Sequence, residues 1–305
     1  MATTPGPKTP VGAPAPLLPS RSLLQALGTL DSPLGWEAGV IHVQGRAVGA
    51  GLLDWCSPGS IGAVAEHCCV GSETAFIVWA PELRGSQSLM DGRTLLERQD
   101  SARLNLERTQ SFVIARELMY GAFSVAGAYG NPYLTDPANM DVITTAPQPY
   151  HVAFDRITDL WAETMLGERG ILHVPPAVAR VGIEEGFIVE RGTQLVDAGL
   201  GNLVVTDAAY ARAHPDGLAA RDPLSQIQWI FMSPNIDVRL GDVVVLPADE
   251  AEMRQSVNRA TNSLVVQAQR FASYTYEEHC ASDATLQVLS IPVDLCNRDC
   301  IFGAS

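Results

Sequence analysis

Lysine is all but missing from this chain: of its 20 Lys and Arg residues, Lys8 is the only lysine. Schiff-base chemistry, a phosphate-binding P-loop and Lys–Asn isopeptide cross-linking each need a lysine amine. All three could run only on Lys8, which sits in a Pro-rich tail. Basic runs are missing too, and the formal net charge is -14. Non-specific binding to nucleic acid depends on Lys and Arg neutralising phosphates, so this chain is a poor candidate for it.

Cysteine is sparse. Six residues, Cys56, Cys68, Cys69, Cys280, Cys296 and Cys300, cannot frame a disulfide scaffold in 305 residues. The best metal-like spacing is Cys296-x-x-x-Cys300, with His279 and Cys280 upstream and His67, Cys68 and Cys69 far away. Zinc requires four tetrahedrally placed thiolates or imidazoles, and buried free thiols are the commoner outcome for such a set. Metal, disulfide and free-thiol readings of Cys296 and Cys300 stay open, and no metal ligand is assigned. No N-terminal stretch joins a basic start to an apolar core, and no run of about 18 apolar residues occurs, so neither a signal peptide nor a membrane span is expected. The expected place of synthesis is a cytoplasm.

Catalytic signatures are also lacking. There is no Gly-x-Gly-x-x-Gly after a strand, no Gly-x-Ser-x-Gly elbow and no His-Glu-x-x-His pair. His42, His67, His151, His173, His214 and His279 are scattered, and Ala198–Gly201 reads as a plain turn. Glu184-Glu185 and Glu277-Glu278 read as solvated turns, and Trp161 and Trp229 as core residues. No catalytic or cofactor-binding residue is assigned, and the chain is not expected to be an enzyme.

What is present is a globular composition, with 47% hydrophobic and 18% charged residues. Residues 1–20 carry six prolines, which preclude a helix and favour an extended arm or tail. Ser22–Leu30 suits a short helix. Val40–Val43 and Thr74–Trp79 are β-rich and flank a long Gly/Ser-rich excursion. Gly92–Tyr120 contains no proline and no glycine after Gly92. Its pairs Arg93/Glu97 and Arg103/Glu107 have helical spacing, and Leu95, Ala102, Leu106, Val113, Ala115, Leu118 and Met119 supply an apolar stripe. A helix of about 25 residues here would be roughly 38 Å long.

Gly121–Gln148 is turn-rich. Tyr150–Gly167 returns to helical period, offering Val152, Phe154, Ile157, Leu160, Trp161 and Met165 for burial. Beyond it, strands are expected at Ile171–Val174, Phe187–Val189, Gln194–Val196, Gly201–Thr206, Ile227–Met232, Ile236–Arg239, Asp242–Leu246, Asn262–Phe271 and Thr285–Ile291. A proline-led helix is expected at Pro175–Ile183. The class is α+β.

This order of elements resembles the Hong Kong 97-type fold of tailed-phage major capsid proteins, which encapsulin shells share. Gly170–Asp207 (GILHVPPAVARVGIEEGFIVERGTQLVDAGLGNLVVTD) looks like the family's axial-domain stretch, and Asn258–Phe271 (NRATNSLVVQAQRF) like its closing peripheral strand. The wider phrasing is similar to capsid proteins of phages infecting GC-rich actinobacteria, over about residues 31 to 292.

The resemblance implies an N-terminal arm at 1–30, an extended β loop with flanking strands at 31–90, and a peripheral domain with a long spine helix at 91–149. It further implies an axial α/β domain at 150–228, with returning strands of the axial domain and the peripheral β-sheet at 229–305. The implied function is self-assembly into hexamers and pentamers of an icosahedral head around double-stranded DNA. The implied location is the virion, after assembly in a host cytoplasm. Implied partners are other copies of the chain, a separate scaffold protein, a portal, and decoration or minor capsid proteins, without a membrane and without sequence-specific DNA binding. With Lys8 as the only lysine, no Lys–Asn cross-linking is expected. The alternatives are an encapsulin-like shell, a minor phage head protein and, from another class, a soluble enzyme.

Overall fold

The computed structural model describes residues 22–31, 40–44, 70–74, 76–82, 93–121, 133–165, 167–215, 226–260, 263–276 and 288–295. The arm up to residue 21, the excursion at 45–69, Lys8, all six cysteines, His67, His279 and Glu277-Glu278 lie outside them.

In chain order the elements are α1 (Leu23–Leu27), β1 (Leu30–Asp31), β2 (Val40–Gln44), β3 (Val70–Thr74), β4 (Phe76–Pro81) and α2 (Leu95–Tyr120). Then come β5 (Met140–Val142), β6 (Gln148–Pro149), α3 (Tyr150–Thr164), β7 (Ile171–Val174), α4 (Pro176–Glu185), β8 (Ile188–Arg191), β9 (Gln194–Asp197) and β10 (Leu203–Thr206). A 3-10 turn at Ala208–Arg212 precedes β11 (Ile227–Ser233), β12 (Ile236–Leu240), β13 (Val244–Leu246), α5 (Glu250–Ser256), β14 (Gln267–Tyr276) and β15 (Val288–Asp294).

Helix α2 runs for 26 residues, or about 39 Å at 1.5 Å per residue. Its limits are set by local chemistry. The Thr94 hydroxyl accepts from the Glu97 amide at 3.3 Å, and the Glu97 carboxylate accepts from the Thr94 amide at 2.8 Å, a reciprocal capping box. At the other end Gly121 takes the left-handed conformation and returns its amide to the Glu117 carbonyl. A side chain at Gly121 would also strike the Tyr133 ring. Ala102, Leu106, Ala115, Leu118 and Met119 are buried as the stripe required. Val113 is not: it is exposed, and Ile114, two turns beyond Leu106, takes the inward position.

Strand β14 is the middle of a five-stranded sheet. Strands β12 and β13 pair antiparallel along one edge, β4 pairs antiparallel along the other, and β1 lies parallel outside β12. On β4, Phe76, Val78 and Ala80 face inward toward α2 while Ile77 and Trp79 face out, the two-residue alternation of a half-buried strand. Strands β2 and β3 form a separate antiparallel pair.

The second sheet has eight strands in the order β5-β15-β11-β7-β10-β9-β8, with β6 also on β15. Its central strands are buried along their length, as expected when both faces are covered. Ile171, Val205, Phe231 and Val288 join the core under α2 and the first sheet. Leu172, Val174, Val204, Ile230, Met232 and Leu289 join a second core under α3 and α4. In that core Tyr150 stacks on Phe154 at 4.6 Å, and Ile157, Trp161 and Met165 are buried as read from the sequence, while Val152 and Leu160 of that face are only partly buried. The eight-stranded sheet is therefore a partition between two hydrophobic cores.

Two readings need correction. The strand expected at Asn262–Phe271 is paired over Gln267–Tyr276: Leu264 and Val266 are buried and Val265 is exposed, but these residues precede the strand. Helix α5 was not expected. It buries none of its residues, so no apolar period marks it, and it is held by Asp249, whose carboxylate accepts from the Glu252 amide at 2.8 Å.

Candidate functional site

Among the described residues one serine meets a histidine. His173 on β7 is fully buried, with Nε2 2.8 Å from Ser233 Oγ and Nδ1 3.1 Å from the Tyr210 hydroxyl. Ser233 Oγ itself donates to the Pro234 carbonyl at 3.0 Å. A hydroxyl has one proton, so Ser233 must accept from His173 Nε2–H, and Nδ1 must accept from Tyr210. Burial holds the imidazole pKa down at about 3, so the ring stays neutral. The serine proton points away from the base and no solvent reaches the pair. This is the reverse of an activated nucleophile; it is a polar tie between β7, β11 and the 3-10 turn.

Beside it sits a second buried polar group. Asp207 accepts from the Ala209 amide at 3.0 Å and lies 3.5 Å from both the Leu23 amide and Ser111 Oγ. Burial raises its pKa, and those hydrogen bonds partly oppose the rise. The Tyr120 hydroxyl donates to the Ala209 carbonyl at 2.9 Å. One aspartate thus connects α1, α2 and the 3-10 turn. Nothing in the sequence singled it out, although Asp before Ala-Ala-Tyr is a recognisable cap.

Glu82 directly follows β4 and is buried. Its carboxylate lies 3.0 Å from Arg98 Nη1 and 3.5 Å from Arg93 Nη1, and its amide donates to the Val266 carbonyl. Arg93, which the helical spacing matched with Glu97, reaches Glu82. The clamp locks the end of β4 to the first turns of α2.

The turn at Ala198–Gly201 is held by Asp197, whose carboxylate accepts from the amides of Gly199, Leu200 and Asn202. Beside this turn lies a cleft of about 520 Å³, whose lining includes Glu168 and Arg169, one charge of each sign, with Gln194, Gly201 and Asn235. Glu184 and Glu185 are exposed, at the end of α4 and not in a turn, while Trp161 and Trp229 are buried. No group of three or more His, Cys, Asp or Glu able to hold a metal occurs among the described residues. No described helix is long and apolar enough to cross a membrane.

The outer face of the five-stranded sheet carries exposed apolar side chains. Trp79 on β4 and Val244 on β13 flank Gln269 of β14 from its two edges, and Ile77 lies two residues before Trp79. Trp79 is 59% exposed, a large apolar residue left open on a flat face.

No protein-family model matches the sequence, and no curated protein matches it. Solved structures do. The capsid of a native GTA particle is similar over 94% of this chain and 94% of its own, with a TM-score of 0.51 and 13% identity. The fold is of the Hong Kong 97 type. Structures of the holo-SrpI encapsulin complex from Synechococcus elongatus (12% identity, 94% of each chain, TM-score 0.49) and from Mycobacterium phage Bobi (13% identity, 92% of each chain, TM-score 0.49) are also similar.

Proposed function

We propose that this chain is a major capsid protein that assembles into hexamers and pentamers of an icosahedral phage head enclosing double-stranded DNA. The observation carrying this reading is the end-to-end match of its fold to the GTA capsid. Residues 91–149 are then the peripheral domain with α2 as its spine, and residues 150–228 are the axial domain. The strands after 229 return to both, while residues 31–90 supply the extended loop and 1–30 the arm. The chain would act through repeated heterologous contacts between identical copies, not through a pocket. A separate scaffold and a portal are its proposed partners, with decoration proteins added afterwards.

Co-expression with its scaffold and negative-stain microscopy test this directly. Closed isometric shells are expected. A discrete small oligomer at every concentration overturns the reading. Shells that contain a protein cargo and no DNA redirect it to an encapsulin-like compartment, as would a cargo-enzyme gene beside this one in place of portal and terminase genes.

A further inference from the structure

The solvent face of α2 is not the polar surface expected of a helix that only braces a sheet. Leu96 is 63% exposed, Leu104 37% and Phe112 43%. Asp100 and Arg108, both exposed, fall midway between them in sequence. At four-residue spacing, Leu96, Asp100, Leu104, Arg108 and Phe112 form one continuous ridge along the helix. Neither Asp100 nor Arg108 makes an ion pair among the described residues. They stand about 12 Å apart along the axis at 1.5 Å per residue, too far to pair with each other. The order apolar, acid, apolar, base, apolar is its own complement when reversed.

We infer that this ridge docks against the same ridge of a second copy, antiparallel about a two-fold axis at Leu104, an inference that rests on the shell reading above. In that register the two Leu104 side chains meet at the axis. Asp100 faces the partner's Arg108, Arg108 faces the partner's Asp100, and Leu96 and Phe112 flank them. Charge complementarity selects both the occupant and the register. Shifting the partner by one residue sets Asp100 against Glu107, and shifting it by three sets Arg103 against Arg108. Ridges of this kind pack with axes about 8–10 Å apart, crossing at about 50°. A single helix crossing is smaller than the roughly 1,200 Å² that a stable complex of two requires, so it closes only where other contacts already hold the copies. Contacts around a ring are heterologous, whereas this one is isologous. It therefore joins copies from neighbouring rings and not copies within one ring.

The test reverses these charges in the full chain, co-expressed with scaffold. Shells are counted by microscopy per folded subunit, and folding is checked by near-ultraviolet circular dichroism of the unassembled fraction. D100R and R108D each set like charges across the axis and are expected to lower shell yield about tenfold. The double variant D100R/R108D remakes both pairs with exchanged signs and is expected to return the yield to within about twofold of wild type. Because the two residues cannot touch within one helix, that rescue reports a contact between copies. Should a reversal fail to fold, D100N and R108Q read the same coupling: each lowers the yield, and the double variant costs no more than either single. Wild-type yield from the single variants overturns the inference, and so does a double variant whose loss is the sum of the two. Failure of the wild-type chain to form shells overturns the shell reading itself.

Discussion

Arg98 Nη1 lies 3.0 Å from Glu82 Oε1, with both side chains almost entirely removed from solvent. A buried pair of this kind owes more to geometry than to net attraction, because desolvation offsets most of the Coulomb gain. Breaking one side is different, since it strands a charge.

Glu82→Gln is therefore expected to destabilise the chain by about 3–5 kcal/mol. The double change Glu82→Leu with Arg98→Met should cost clearly less than the single one. Urea unfolding of wild type, Glu82→Leu, Arg98→Met and the double variant, with Glu82→Gln alongside, measures both, and a double variant as unstable as the sum of the singles contradicts the pairing.

His173 makes stability depend on acid. Its folded-state pKa is about 3, against the ordinary 6.5. The folded chain thus binds fewer protons than the unfolded one across that window. The stabilisation is complete above about pH 6.5 and is lost as pH falls toward 3, by an amount on the order of a few kcal/mol. His173→Gln should flatten the difference between unfolding midpoints at pH 7 and pH 4.

Asp207 runs the other way. Burial raises its pKa, so the folded state favours the protonated acid, and stability from this group is lost as pH rises through the folded value. Asp207→Asn removes that dependence. Its cost relative to wild type is expected to be larger near pH 4, close to the ordinary aspartate value, than at pH 8, as read by the shift in thermal midpoint at each pH.

Gly170 is a packing requirement. A Cβ there would stand 2.6 Å from Trp161 Cε2 and 2.9 Å from the Ser233 carbonyl oxygen. Gly170→Ala should cost about 1–3 kcal/mol by overpacking. Near-ultraviolet circular dichroism should register the displaced indole.

Cross-linking makes the last test. Particles boiled in detergent with reductant should release single chains of 32.6 kDa, because Lys8 is the only lysine. A covalent ladder would contradict this.

The sequence made α2 legible because its signals are local: no proline or glycine after Gly92, Arg93/Glu97 and Arg103/Glu107 at helical spacing, and an apolar stripe; its capping box and the Gly121 stop were added by the structure. Strand β7 and helix α3 were legible for similar reasons. The shifted limits of β14 show the contrary case. Its pairing extends through Ser273 and Thr275, residues with no apolar signal, because β12 lies alongside them. The clamp at Glu82, the His173 tie and the buried links of Asp207 were unreadable for a deeper reason. Each joins residues from separate elements, and in sequence each residue looks like an ordinary charge or an isolated histidine.

Strand β15 pairs with β11 on one edge and with β5 and β6 on the other. One of the last described segments thus fills a slot between strands made 60 to 150 residues earlier. While the ribosome is still short of Val288, the eight-stranded sheet has a gap and both cores lack a wall. A truncated chain would expose that gap and could not finish its partition. Synthesis through Asp294 thereby becomes a checkpoint on the fold: a chain that stops short of it keeps an open sheet and two unfinished cores.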